Sequence, residues 1–135
     1  MKEIEILLRN ECQNYAKLGD SIINFICSAS LSNKLKKPIG FKVSNRVLNT
    51  ALDLSLLNKM ARYYFPKCKK SDIIEALFGI LWVRKELNID ECIEYLTRSL
   101  PSNFLYNNTL SSDYELAKAI AALVNFLIGH SHEKQ

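Results

Sequence analysis

The sequence predicts an all-α fold of about six or seven helices. Three observations carry this reading. Apolar side chains recur at i, i+3, i+4 spacing along nearly all of the 135 residues. Four Gly and three Pro are too few turn residues for a many-stranded sandwich or barrel. A composition of 48% apolar and 24% charged residues supports one hydrophobic core and excludes a disordered chain. At this length the chain is expected to form a single domain, residues 1–135.

The elements follow in order. Ile4, Leu7 and Leu8 define a short first helix. From Tyr15 to Leu31, apolar residues at 15, 18, 22, 25, 26 and 29 form a 3.6-residue stripe. Ser32–Gly40, with Pro38 and Gly40, reads as a loop. Ser44 or Asn45 caps the next helix, whose apolar side is Val47, Leu48, Ala51, Leu52, Leu54 and Leu56. Pro66 ends the aromatic run Tyr63-Tyr64-Phe65, whose rings are expected to pack rather than to stack on bases. Ser71 is the expected N-cap of a helix from Asp72 to about Leu87, with Asp72 at the positive end of its dipole. Asp90–Leu100 makes a shorter helix, Pro101–Leu110 a polar loop, and Ser111–His130 a final amphipathic helix capped near Ser112 or Asp113.

No apolar run approaches the roughly 20 residues of a membrane span, since Asn125 interrupts Ala119–Leu127 and Glu75 interrupts Ile73–Val83. Glu3, Glu5 and Arg9 within the first ten residues argue against a signal peptide, so a cytoplasmic protein is expected. Cys12, Cys27, Cys68 and Cys92 show no CxxC pair and no zinc spacing. Reduced, packing cysteines are the expectation for that compartment.

Charge is distributed unevenly. Residues 33–70 hold ten bases against the single acid Asp53, a net +9, while the remainder carries −5. Such a split suits a polyanion-binding surface beside an acidic pocket, or simply a set of solvated helix faces.

Two segments place carboxylates within apolar helices. Asp20 lies in Leu18-Gly19-Asp20-Ser21-Ile22-Ile23, where an ionised carboxylate is costly unless paired or bound to a cation. Asp72 and Glu75, three residues apart, share one helix face. Small residues at Ala76 and Gly79 permit close approach by the helix carrying Gly19 and Asp20. Three carboxylates on two packed helices would form an oxygen-only site suited to Mg²⁺ or Mn²⁺. Each acid also has a plainer reading: Asp72 as a dipole or capping residue, Glu75 as solvent-facing, Asp20 as a turn residue after Gly19.

Leu18-Gly19-Asp20-Ser21-Ile22 resembles the signature core of the ribonuclease III family. Asp72-Ile73-Ile74-Glu75-Ala76-Leu77-Phe78-Gly79 resembles that family's second acidic motif, and Lys42-Val43-Ser44-Asn45-Arg46-Val47-Leu48 its intervening valine-serine-asparagine segment. The three stand in the family's order over about residues 12–83. The chain is most similar in extent to the short Mini-III-type members, which lack a double-stranded-RNA-binding domain. It departs from longer members at Gln13 and Ala16, where they carry glutamates, and at Lys17, where they carry an aromatic residue used in dimer packing.

The resemblance implies the all-helical ribonuclease III endonuclease domain and a metal-dependent endoribonuclease that hydrolyses double-stranded RNA. Asp20, Asp72 and Glu75 would be its catalytic and metal-binding residues, holding Mg²⁺ or Mn²⁺, with Glu75 the indispensable ligand. Lys34, Lys36, Lys37, Lys42, Ser44, Asn45 and Arg46 would contact the backbones of an A-form duplex, recognised by shape and 2′-hydroxyls. A homodimer is expected, because one small domain offers a short footprint for a duplex. The alternatives are a non-catalytic RNA-binding or ribosome-associated module on the same fold, and a helical protein–protein interaction domain.

Overall fold

The computed structural model describes residues 2–64 and 68–133, with the side chains of 62–64 and 131–133 left aside. Among the described residues there are six helices and no strand: α1 (Lys2–Leu35), α2 (Asn45–Leu54), α3 (Leu57–Tyr64), α4 (Lys70–Val83), α5 (Ile89–Ser99) and α6 (Leu110–Glu133). The expectation for the Tyr63–Phe65 rings and for Pro66 falls outside the described side chains and residues.

α4 is the axis of the fold. Every residue from Ile73 to Leu81 is buried, as expected of a helix that is apolar all round. It packs chiefly on α1 and also on α2; α6 covers α2 and α5, and α5 returns onto α1. Phe78, Ile74, Leu77, Ile23, Ile26, Leu48 and Leu52 are among the fully buried side chains of one continuous core.

The two helices expected at the N-terminus are merged into α1, with non-helical φ/ψ of −133° and 19° at Glu11 marking their junction. Asp20 therefore sits in mid-helix rather than at a turn. At its C-terminus α1 closes with Lys36 in the left-handed region (φ 57°) and Lys37 N–H bonded to Ser32 C=O, a Schellman stop just before Pro38.

Ser44 caps α2 as expected, accepting from Val47 N–H. Other boundaries differ from expectation: α2 ends at Leu54, so Leu56 lies between it and α3, and α6 begins at Leu110, before Ser112 and Asp113. The N-cap position of α4 is Lys69 rather than Ser71, which lies buried in the first turn, while Lys70 pairs with Asp53 of α2 at 2.9 Å. α4 also stops at Val83 instead of running on to Leu87: Lys85 turns left-handed (φ 61°) and Glu86 N–H closes onto Leu81 C=O. Arg84, bonded to both Glu3 and Glu86, anchors that stop. At the start of α6, Thr109 and Ser112 exchange side-chain to backbone hydrogen bonds.

One cysteine expectation is overturned. Cys12 and Cys68 form a disulfide across 56 residues of sequence, tying α1 to the segment before α4. Spacing alone could not show this, because the fold brings the two Cα atoms to 6.4 Å. Cys27 and Cys92 are free and buried, as expected of packing cysteines, and burial pushes both thiols up to about 12. No helix of the described residues is long and apolar enough to cross a membrane.

Candidate active site

The site begins with two glycines. A Cβ on Gly19 would stand 1.5 Å from the Glu75 carbonyl oxygen, and one on Gly79 would stand 2.2 Å from the Tyr15 carbonyl oxygen. The α1 and α4 backbones thus touch at a crossing where only hydrogen fits. This is the close approach that Ala76 and Gly79 suggested. It sets Asp20, next to Gly19, against Glu75, one turn before Gly79.

Glu75 is buried at 8% exposure, so the solvent-facing reading of this residue fails. Its pKa is raised from about 4.5 to about 8. Burial is the largest cause, followed by a hydrogen bond with the Asp20 carboxyl, the Asp20 charge and the Asp72 charge; Lys42 opposes them. Near neutral pH, Glu75 therefore keeps its proton. Asp72 lies half-buried in the first turn of α4, close enough for its charge to act on Glu75. Among the described residues, no three His, Cys, Asp or Glu groups converge closely enough to hold a metal ion by themselves. The structure brings two of the three expected ligands into contact and the third into electrostatic range.

The basic residues divide into two groups. Lys42 stands with its ammonium nitrogen 3.9 Å from Asp20 Oδ2, on a side chain that is 79% exposed. Lys34, Lys36 and Lys37 lie at the far end of α1 and beyond it. With 1.5 Å of rise per residue, the 14 residues from Asp20 to Lys34 span about 21 Å. Ser44 and Asn45 are exposed at the start of α2. Arg46 is committed elsewhere: it pairs with the buried Asp113 of α6, which also accepts from the Tyr106 hydroxyl at 2.9 Å.

How Lys42 reaches Asp20 was missed in the sequence. Ser32, Ser28 and Asn24, spaced four apart on α1, accept from the backbone N–H groups of Ile39 (2.9 Å), Phe41 (2.9 Å) and Val43 (2.8 Å), spaced two apart. One helical turn of four residues rises about 6 Å and two extended residues advance about 6.6 Å, so the two periods match. The segment after α1 is thereby laid back along the helix. The available signal was the run Asp20, Asn24, Ser28, Ser32, a polar line at i, i+4 spacing through an otherwise apolar helix.

A family model described as Ribonuclease III matches residues 13–131, nearly the whole chain. No curated protein matches the sequence. With the three motifs in order, an all-helical fold, and paired carboxyls at the α1–α4 crossing, this chain belongs to the ribonuclease III family, whose chemistry is of the nuclease, hydrolytic kind.

Proposed function

We propose that the protein is a divalent-metal-dependent endoribonuclease that hydrolyses phosphodiester bonds in double-stranded RNA. The observation that carries this reading is the contact of the Asp20 and Glu75 carboxyls across the glycine crossing, with Asp72 beside them. Two acids forced together in a half-buried place are a poor arrangement for stability and a good one for attracting a cation.

The donor set fits Mg²⁺ or Mn²⁺. Mg²⁺ keeps several waters and is commonly held by one or two carboxylates plus substrate phosphates, so a pair suffices where a closed cage of three is absent. Asp20 and Glu75 would hold the ion, with Asp72 adding negative charge. When bound, it supplies Lewis-acid activation of the attacking water and charge neutralisation at the leaving 3′ oxygen. The chain's own residues do the rest. Glu75 gives up its proton on loading. Lys42 exchanges its carboxylate neighbour for a strand phosphate. Lys34, about 21 Å along α1, and Lys36 and Lys37 just beyond its end hold the duplex backbone farther out.

Dimerisation is part of the proposal. Leu18 (38% exposed), Ile22 and Phe25 (57% exposed) form an apolar stripe at i, i+4, i+7 on the flank of α1 opposite to Asp20. A second copy covering it would set two acid pairs on one duplex. With RNA as substrate, we place the protein in the cytoplasm.

One observation favours a second reading. Ala16, one turn before Asp20, is buried, so a methyl group fills the place of a family glutamate. That departure suits a module that binds RNA without cutting it. The deciding experiment incubates the protein with labelled duplex RNA and Mg²⁺ beside a Glu75→Gln variant. Cleavage should fall by about 100-fold or more in the variant, beyond what loss of a merely supporting residue costs. Undiminished cleavage in the variant removes the assigned site; salt-sensitive binding without any cleavage selects the non-catalytic module.

A further inference from the structure

We infer that Asn24 is a positioning residue for the acid pair, holding Asp20 and the Lys42 segment as one unit; this rests on the nuclease reading above. Asn24 lies one turn after Asp20 on α1, half-buried between the helix and the returning segment. Its carbonyl oxygen accepts from Val43 N–H at 2.8 Å, and its Nδ2 donates to Asp20 Oδ1 at 3.0 Å. The orientation of the amide is dictated by its neighbours. A backbone N–H can only donate and an ionised carboxylate can only accept, so one amide in one orientation satisfies both.

Two consequences follow for the site. The bond to Oδ1 fixes the rotation of the Asp20 carboxylate, leaving Oδ2 toward Lys42. The bond from Val43 fixes the backbone next to Lys42, so the ammonium and the carboxylate are set by the same side chain. Ser28 and Ser32 hold the segment too, but only Asn24 reaches an acid. Groups that orient a metal-ligating carboxylate commonly contribute about 10–100-fold in metal affinity or activity.

Asn24→Ala removes both bonds, whereas Asn24→Asp keeps the acceptor for Val43 and replaces the donor by a second carboxylate facing Asp20. Thermal unfolding identifies folded variants. Three measurements follow. First, the Asn24 side-chain amide resonances of the wild-type protein, recorded without metal, should shift in Asp20→Ala; unmoved resonances overturn the inference whatever the protein's activity. Second, Mn²⁺ affinity, read from the signal of free Mn²⁺, should fall about 10-fold or more in Asn24→Ala; wild-type affinity there overturns it. Third, on duplex RNA, Asn24→Asp should lose kcat with KM within about twofold of wild type, and Asn24→Ala should lose in both. Wild-type kcat in Asn24→Asp, or a loss confined to KM, also overturns it. If the amide resonances shift while the wild-type protein neither binds Mn²⁺ nor cleaves RNA, the nuclease reading fails and the Asn24 coupling stands.

Discussion

The acid pair at the α1–α4 crossing and the lysines from 34 to 42, at the end of α1 and on the segment laid back along it, are placed by opposite means. Asp20 and Glu75 are set by backbone contact: α1 and α4 touch at Gly19 and Gly79, leaving no room for adjustment. The lysines from 34 to 42 are set by side-chain hydrogen bonds that hold an exposed segment along α1. At the crossing, burial raises the energy of charge and keeps Glu75 protonated. From Lys34 to Lys42 the lysines lie at the surface, where the proposed function has them attract a polyanion. The difference teaches that the acid pair is fixed by packing, whereas the lysines are fixed by surface polar contacts that can change without disturbing the core.

The comparison can be broken most severely at the crossing. Gly19→Ala puts a methyl group into the Glu75 carbonyl, so the helices must separate; a loss of about 3 kcal/mol or more is expected, enough to unfold much of the population. Gly129→Ala in α6 meets nothing within 4 Å and should instead raise stability by up to about 1 kcal/mol. Denaturant unfolding of the two variants measures both. Equal effects would mean that the helices do not touch at Gly19.

The Glu75 proton sharpens the same contrast through pH. The Glu75 pKa is about 8 in the folded protein against about 4.5 ordinarily, so the folded state keeps a proton that the unfolded chain loses. Its contribution is complete below pH 4.5 and is lost as pH rises through 8. In metal-free buffer, stability should therefore fall across that window, with a slope of at most about 1.4 kcal/mol per pH unit for one proton. Glu75→Gln mimics the protonated acid and should remove that slope. Unfolding midpoints at pH 5 and pH 8.5 test it, and a slope retained in the variant would assign the proton elsewhere.

Smaller effects divide the basic residues. Arg46→Ala strands the buried Asp113 carboxylate and should cost about 2 kcal/mol, below the range for a fully buried pair because the arginine is 58% exposed. Lys37→Ala should leave stability within about 0.5 kcal/mol and reduce the salt dependence of duplex-RNA binding by about one ion. The helix stops act with the opposite sign. Lys36→Gly and Lys85→Gly each relieve a left-handed residue and should stabilise by about 1 kcal/mol, but only Lys36→Gly should also weaken RNA binding. Calorimetry and binding isotherms across a salt series separate these cases.

Much of this was legible in local pattern. The small residues at 19, 76 and 79 signalled a close helix crossing, and the acids beside them signalled what the crossing would hold. The full burial of Ile73–Leu81 follows from a segment that is apolar on every side. Other features have no local signature. Nothing at position 12 points to position 68, and nothing at Arg46 points to Asp113. Asn24, read alone, is a polar interruption of an apolar run; it acquires a role only when the loop after Pro38 folds back over it.

Periodicity, residue size and motif order by themselves determined the helical class, the apolar character of α4 and the family, because each is read from patterns within a few turns. The tertiary structure alone decided which carboxyl keeps its proton, which lysine faces the acids, which arginine is engaged by a buried aspartate, and which cysteines join. Those outcomes depend on distances between groups far apart in the chain, and such distances are set by how whole helices pack rather than by any residue's own preference.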